Sequence, residues 1–318
     1  EAFRVMNMDI RTNINSRYAQ FPYVNGGLFA KQIDIPRMNM RIRKLILQCG
    51  ELNWAKINPD IFGSMIQAVV NPELRGGLGM HYTSVSNIKK VINPLFLDVL
   101  YDEYYKLDRR QKELDGDYPN TQRGRQEYYA ACKPVINQCN RMLKRMHGMK
   151  FFDPACGSGN FLIISYKELR RIETRVLKLI QQMEQAASFT SVISSVININ
   201  QFYGIEINDY ACDTAKLSLW LAEHQVNRQF TKDFGVNIQA LPLKTNDNIV
   251  CANACRIDWN EVCPHEKDEE VYVMGNPPYS GESANKGEWI MSLMEDYKKE
   301  PGGKEKLKER NPKWINDD

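Results

Sequence analysis

The sequence predicts an α/β protein: a parallel sheet interleaved with helices, preceded by a mainly helical N-terminal region. Three observations point to it. A short apolar run from Lys150 to Asp153 passes through a glycine turn into a long helical pattern, Phe161 to Met183. A second run, Gln201 to Asn208, ends in an acid and leads into the amphipathic stretch Asp209 to Val226. A third, Val271 to Met274, reads as a buried strand. Strands alternating with helical segments build parallel sheets with crossover helices.

The 318 residues allow two modest domains or one larger one. With 43% hydrophobic and 25% charged residues, the composition excludes disorder as the main state. No run approaches the ~18 apolar residues of a membrane span, and the first residues lack an apolar signal core, so a soluble, cytoplasmic protein is expected. A formal charge of +3 neither demands nor excludes a nucleic-acid partner. Eight cysteines are too few for a disulfide scaffold in a chain this long. Cys251, Cys255, Cys263 and His265 contain no C-x-x-C pair, so no metal site is expected.

Residues 1 to 75 mix short helical patterns with the turn Val24-Asn25-Gly26-Gly27 and pre-proline breaks at Asn58-Pro59 and Asn71-Pro72. They read as a helical N-terminal or linker region, leaving 76–318 as the second region. Its glycine-rich start leads through His81, Tyr82, Thr83 and Ser84 into a helical pattern with Ile88, Val91, Ile92, Leu95, Phe96, Val99 and Leu100 at three- and four-residue spacing. Thr83 or Ser84 suits the N-cap, and Pro94 should kink or divide the helix. A further helical pattern runs to Met146, where His147 and Gly148 suit its C-terminus. Between Tyr128 and Phe152 stand five Lys or Arg residues and no acid. That run is either a solvated helix face or a patch facing phosphates.

The glycine turn is Asp153-Pro154-Ala155-Cys156-Gly157-Ser158-Gly159-Asn160. Strand, glycine turn and helix in this order open a nucleotide-binding α/β unit. Gly157 and Gly159 let the backbone come close to a ligand. A dinucleotide fingerprint would have its third glycine where Leu162 stands, and Asp153 also counts against a pyrophosphate; an ordinary tight turn explains the two glycines as readily. Glu206, at the tip of the next strand, stands where an acid binds ribose hydroxyls, or is an exposed or capping acid. Asn248 to Asn253 is another short strand ending in a polar side chain. Gly275-Asn276-Pro277-Pro278-Tyr279 closes the last strand. Two prolines stiffen that turn, so the Asn276 amide oxygen and Pro277 carbonyl form a rigid pair of acceptors beside the Tyr279 ring. Such an arc suits a planar base with an exocyclic amine.

Together DPACGSGNFL, YGIEIN and GNPPY, with GMHYTS upstream, resemble the motifs of bacterial class I S-adenosylmethionine-dependent DNA adenine methyltransferases. FPYVNGGLF and IFGSMI are further similar to the large single-chain restriction-modification type, the Mme-like and Eco57-like enzymes. The resemblance covers roughly Phe21 to Trp314 and implies a Rossmann-like methyltransferase sheet. By it, His81, Tyr82 and Thr83 help hold the methionine carboxylate of S-adenosyl-L-methionine. Asp153, Ala155, Cys156, Gly157 and Gly159 line the methionine and sugar side. Glu206 holds the ribose hydroxyls, Ile207 packs on the adenine ring, and Asn253 meets its amino edge, where the family often has an acid. Asn276, Pro277, Pro278 and Tyr279 are implied as catalytic, acting on the 6-amino group of an adenine flipped out of double-stranded DNA.

The cofactor motifs precede NPPY with no recognition domain between them, which matches the gamma order of the family. Because the chain lacks an initiating Met and ends soon after Tyr279, it is expected to be a fragment with a C-terminally incomplete sheet, inactive alone. Two rivals stand beside this reading. Protein-glutamine methyltransferases share NPPY but lack an HYTS-like motif, and a non-catalytic cofactor-binding module could keep the motifs without activity.

Overall fold

The computed structural model describes residues 2–8, 15–24, 37–53, 61, 83–114, 116, 118, 121–188, 193–236, 238 and 247–277. The chain divides into two compact units, Glu1–Gly63 with Thr83–Gly275, and Ser64–Tyr82 with Asn276–Asp318. All elements described below belong to the first; of the second, only Asn276 and Pro277 are described. The expected boundary at 75 falls outside the described residues, as do Asn58-Pro59, Asn71-Pro72 and Asn25 to Gly27.

N-terminal helices α1 (Ala2–Met6) and α2 (Met40–Glu51) agree with the expected helical character. The Asn39 side chain caps α2 by accepting the Ile42 N–H at 2.9 Å. Helix α3 (Val85–Ile92) is capped by Ser84, and Pro94 does divide the pattern. Lacking an N–H, Pro94 cannot bond to the preceding turn, and Asn93–Leu97 widens into a π-turn before α4 (Asp98–Leu114). Of the apolar positions read along this stretch, Ile88, Ile92, Phe96 and Leu100 are buried, whereas Val91, Leu95 and Val99 are exposed. Residues four apart share a face, and the second row is turned about 100° away from the core.

Helix α5 (Gln122–Gly148), capped by the Thr121 hydroxyl, ends at the predicted Gly148 and enters β1 (Lys150–Asp153). Then follow α6 (Asn160–Ala186), β2 (Phe202–Glu206), α7 (Asp209–Phe234), β3 (Ile249–Cys251), the short α8 (Trp259–Val262) and β4 (Val271–Val273). Helix α7 outruns its predicted end by two turns and stops at Gly235, whose φ of 70° supplies the left-handed residue that closes a helix.

All four strands are parallel, in the order β3-β2-β1-β4. Phe202, Phe151 and Tyr272 are register partners on neighbouring strands and stack face to face, at centroid distances of 5.0 and 5.5 Å. This ladder, with Phe96 tilted against Phe151 at 4.9 Å, anchors the larger core, where α6 is buried along nearly its whole length. Phe152 and Ile205 point to the opposite face, where Val262 and Cys263 cover them and Trp259 meets Phe152 edge-on. The expectation of a buried last strand is corrected: Val273 is 51% exposed, because among the described residues β4 is an end strand paired only with β1.

Of the five cations between Tyr128 and Phe152, two are held by acids. Arg145 forms a two-point pair with Glu270 (2.7 and 3.0 Å), and Lys150 reaches Glu269 at 2.6 Å. Lys133, Arg141 and Lys144 are exposed. Among the described residues no helix is long and apolar enough to cross a membrane, and no group of three His, Cys, Asp or Glu could hold a metal ion.

Candidate active site

From β1 the chain goes to β2 and β3 on one side and then returns to place β4 on the other. The reversal lies between β1 and β4, and open α/β sheets bind ligands beyond the carboxyl ends of their strands at such a switch point. There β1 ends in Asp153, β2 in Glu206, β3 is followed by Asn253, and β4 by Met274-Gly275.

The glycine turn is tied to β2. Cys156 N–H donates to the Ile205 carbonyl (2.9 Å) and Gly157 N–H to Glu206 Oε2 (2.8 Å). Glu206 Oε1 accepts the Asn208 N–H at 2.9 Å, and the carboxylate is buried. Two N–H bonds thus fix both oxygens while leaving each a further lone pair. Gly157 and Gly159 have φ of 54° and 82°, a region costly for residues with a Cβ, so these two glycines are conformational necessities. Gly159 leads directly into α6 and packs on Ala215 of α7. Ile207, next to Glu206, is 55% exposed, an apolar platform at the strand tips.

Asp153 is almost completely buried, and its Oδ1 accepts the Ala155 N–H at 3.0 Å. Burial pushes its pKa up to about 7; the Ala155 bond opposes this and the nearby Glu206 charge adds to it. Cys156 is also buried, and its thiol is pushed well up, chiefly by burial, so it is a packing group and not a nucleophile. Asn160 buries its Oδ1 at the start of α6 with no hydrogen-bond partner among the described residues. Asn253 Oδ1 accepts the Cys255 N–H at 2.9 Å, which fixes the side chain and leaves the oxygen a further lone pair.

The fold therefore brings Asp153, Ala155, Cys156, Gly157, Gly159, Glu206, Ile207 and Asn253 to the carboxyl ends of β1, β2 and β3. Thr83 stands just before α3, whose Ile88 and Ile92 enter the larger core. Asn276 and Pro277 are exposed and directly follow Gly275 in the chain. His81, Tyr82, Pro278 and Tyr279 lie outside the described residues. Two glycines were missed in the sequence. A Cβ on Gly204 would stand 2.8 Å from Cys156 Sγ, so the bare strand lets the glycine turn lie against β2. An isolated glycine within a strand is the signal that could have found it. Gly275 lies as close to Asp153, with a hypothetical Cβ 2.4 Å from Oδ1.

A parallel sheet with a glycine turn after β1 and a carboxylate at the end of β2 places this chain among the open α/β proteins, whose ligand sites lie at the carboxyl ends of the strands. The particular family is shown by residues 129–302, which match the DNA-methyltransferase domain of MmeI: the chain belongs to that family. It is 45% identical over 313 residues to DNA methyltransferase A of Bacillus subtilis (strain 168), a match covering 96% of this chain and 32% of that protein. It also superposes on a solved structure of the Type IIL restriction-modification enzyme MmeI in complex with DNA, with a TM-score of 0.75 and 34% identity, over 94% of this chain and 36% of that one. The chain thus spans about a third of the length of these relatives.

Proposed function

We propose that this chain is the cofactor-binding and catalytic part of a site-specific methyltransferase that acts on the exocyclic 6-amino group of adenine in double-stranded DNA, within a restriction-modification system. Membership of the MmeI methyltransferase-domain family supports the reaction class. The observation that carries the cofactor assignment is the closure of the glycine turn onto the β2 carboxylate, Gly157 N–H to Glu206 Oε2 at 2.8 Å. It leaves a fixed, buried carboxylate with spare lone pairs beside an exposed Ile207, the pairing of an acceptor for two vicinal hydroxyls with an apolar face for a base.

S-adenosylmethionine fits these residues, and when bound it supplies an electrophilic methyl group on a positively charged sulfur. Glu206 accepts the ribose hydroxyls and Ile207 supports the adenine ring. The Asn253 Oδ1 accepts the Cys255 N–H and keeps a second lone pair for the adenine amino group. Asp153, with the orphaned Asn160 oxygen nearby in the chain, offers acceptors for the ammonium of the methionine portion. Thr83, with His81 and Tyr82 before it, takes the carboxylate.

An adenine amine is a poor nucleophile because its lone pair is delocalised into the ring. Asn276 Oδ1 and the Pro277 carbonyl accept hydrogen bonds from its two N–H groups, favour a more tetrahedral nitrogen and direct the lone pair at the methyl group; once the N–C bond has formed, one N–H proton is released to solvent. Pro278 stiffens the turn, and Tyr279 stacks on the flipped base.

The test uses the full-length protein, labelled S-adenosylmethionine and DNA, followed by digestion to nucleosides. Label is expected in N6-methyladenine. Asn276→Ala should lower transfer by about a hundredfold or more, as when one preorganised hydrogen-bonding group is removed, while cofactor affinity changes little. Label in protein glutamine, in another base, or nowhere would refute the proposal, as would near-normal transfer by Asn276→Ala.

A further inference from the structure

A second requirement on the catalytic turn emerges where β4 ends. Gly275 is not at a positive φ, so the backbone conformation does not demand glycine there. Space does: a Cβ built on Gly275 would lie 2.4 Å from Asp153 Oδ1 and 3.1 Å from Asp153 Cγ, where real Cβ atoms do not come. Neither side is free to yield. The Asp153 side chain is short, buried, and held by Ala155 N–H at 3.0 Å. Just before Gly275, Met274 N–H donates to the Phe152 carbonyl at 2.9 Å, and the buried Met274 thioether accepts the Ser165 hydroxyl at 3.4 Å. The next residue in the chain is Asn276.

We propose that Gly275 is a positioning residue: its bare Cα seats the end of β4 against the Asp153 carboxylate, so that one side chain sets both the cofactor turn and the approach of the chain to Asn276. This rests on the function proposed above for Asn276. Glycine permits close approach of backbone to a fixed polar group, and the Cα–H groups it presents are themselves weak donors to a carboxylate. A methyl group at this point displaces either the carboxylate or the strand end. A displacement of about 1 Å in reacting groups costs about a hundredfold in rate.

The decisive experiment is a double-mutant cycle in the full-length methyltransferase, read by single-turnover transfer at saturating cofactor, by the KM for DNA and by melting temperature. Gly275→Ala should cut the transfer rate by about a hundredfold with less than a threefold change in KM. In an Asp153→Ala background, where the blocking oxygen is gone, the same substitution should cost less than threefold. If Gly275→Ala melts too low to assay, or Asp153→Ala itself transfers too little to assay, the melting temperature is the readout, and Asp153→Ala must recover the melting temperature that Gly275→Ala loses. Near-normal transfer by Gly275→Ala, or an equal cost in both backgrounds, would overturn the proposal. If the wild type transferred methyl to something other than adenine, the function above would fall, while the melting cycle would still decide the Gly275–Asp153 contact.

Discussion

At the scale of single residues, the carboxyl ends of β1 and β2 carry two acids in different situations. Glu206 has both oxygens fixed by backbone N–H groups, whereas Asp153 is buried with one such bond and a pKa raised from 3.8 to about 7. An acid that holds its proton more tightly folded than unfolded destabilises the fold when ionised. Asp153 therefore costs nothing below pH 4, costs progressively more as the pH rises towards 7, and costs a constant amount above it. Asp153→Asn, which cannot ionise, should gain on the wild type over that window, by a few kcal/mol at pH 8 and almost nothing at pH 4. Urea unfolding of both forms across that range measures it, and a difference independent of pH would remove Asp153 as the titrating group. Both acids were legible in the sequence because a carboxylate ending an apolar strand has few other places to go. For Gly204 a strand glycine gave a signal but not its reason, and for Gly275 nothing did, since what excludes a side chain there is Cys156 Sγ in one case and Asp153 Oδ1 in the other, each distant in sequence.

At the scale of elements, the connection from α6 to β2 rests on charges inside an apolar core. Arg170 and Glu173 of α6 are buried as an ion pair at 2.9 Å. The Glu173 carboxylate accepts the N–H groups of Val196 and Ile197 at 2.6 and 3.0 Å and the Ser195 hydroxyl at 2.9 Å. Arg170 donates to the Tyr166 hydroxyl and Asn227 Oδ1, and its guanidinium lies over the Phe230 ring at 5.4 Å. The group pins the strand-entry loop to α6, the helix that begins at Asn160. Glu173→Ala strands a buried guanidinium and two loop N–H groups, and should destabilise by about 3–5 kcal/mol in chemical denaturation. Arg170→Met added to it should return part of that loss; a Glu173→Ala cost below about 1 kcal/mol would mean that the loop is held by packing alone. A sequence reading sees these residues as ordinary charges at helical spacing. Their burial comes from α7 and the loop folding over them, which periodicity along α6 does not specify.

At the scale of the whole unit, a cofactor bound at the carboxyl ends would tie β1, β2 and β3 together and stabilise the native state by mass action. At a concentration a hundred times its dissociation constant the gain is about 2.7 kcal/mol, or roughly 5–10 °C in melting temperature for a unit of this size. Glu206→Ala removes the proposed ribose acceptor, a charged hydrogen bond worth about 1.5–3 kcal/mol. Its melting curve should need about ten- to a hundredfold more S-adenosylmethionine for the same shift. Identical concentration dependence in the two proteins would take Glu206 out of the cofactor site.

The sequence by itself determined the alternation of strands and helices, the glycine turn after β1, the acid ending β2 and the polar residues after β3 and β4. Each is encoded within a few neighbouring residues: apolar periodicity, glycine freedom at positive φ, and the break that a polar side chain makes in a strand. Only the tertiary structure decided the strand order β3-β2-β1-β4, which puts Gly275 beside Asp153 and leaves β4 half exposed. It also decided which row of the α3–α4 stretch is core, with Ile88, Ile92, Phe96 and Leu100 inside and Val91, Leu95 and Val99 outside. Both outcomes depend on what packs from a distant part of the chain. Local propensity and pattern narrow that choice, and the burial of Phe151, Phe202 and Tyr272 against one another completes it.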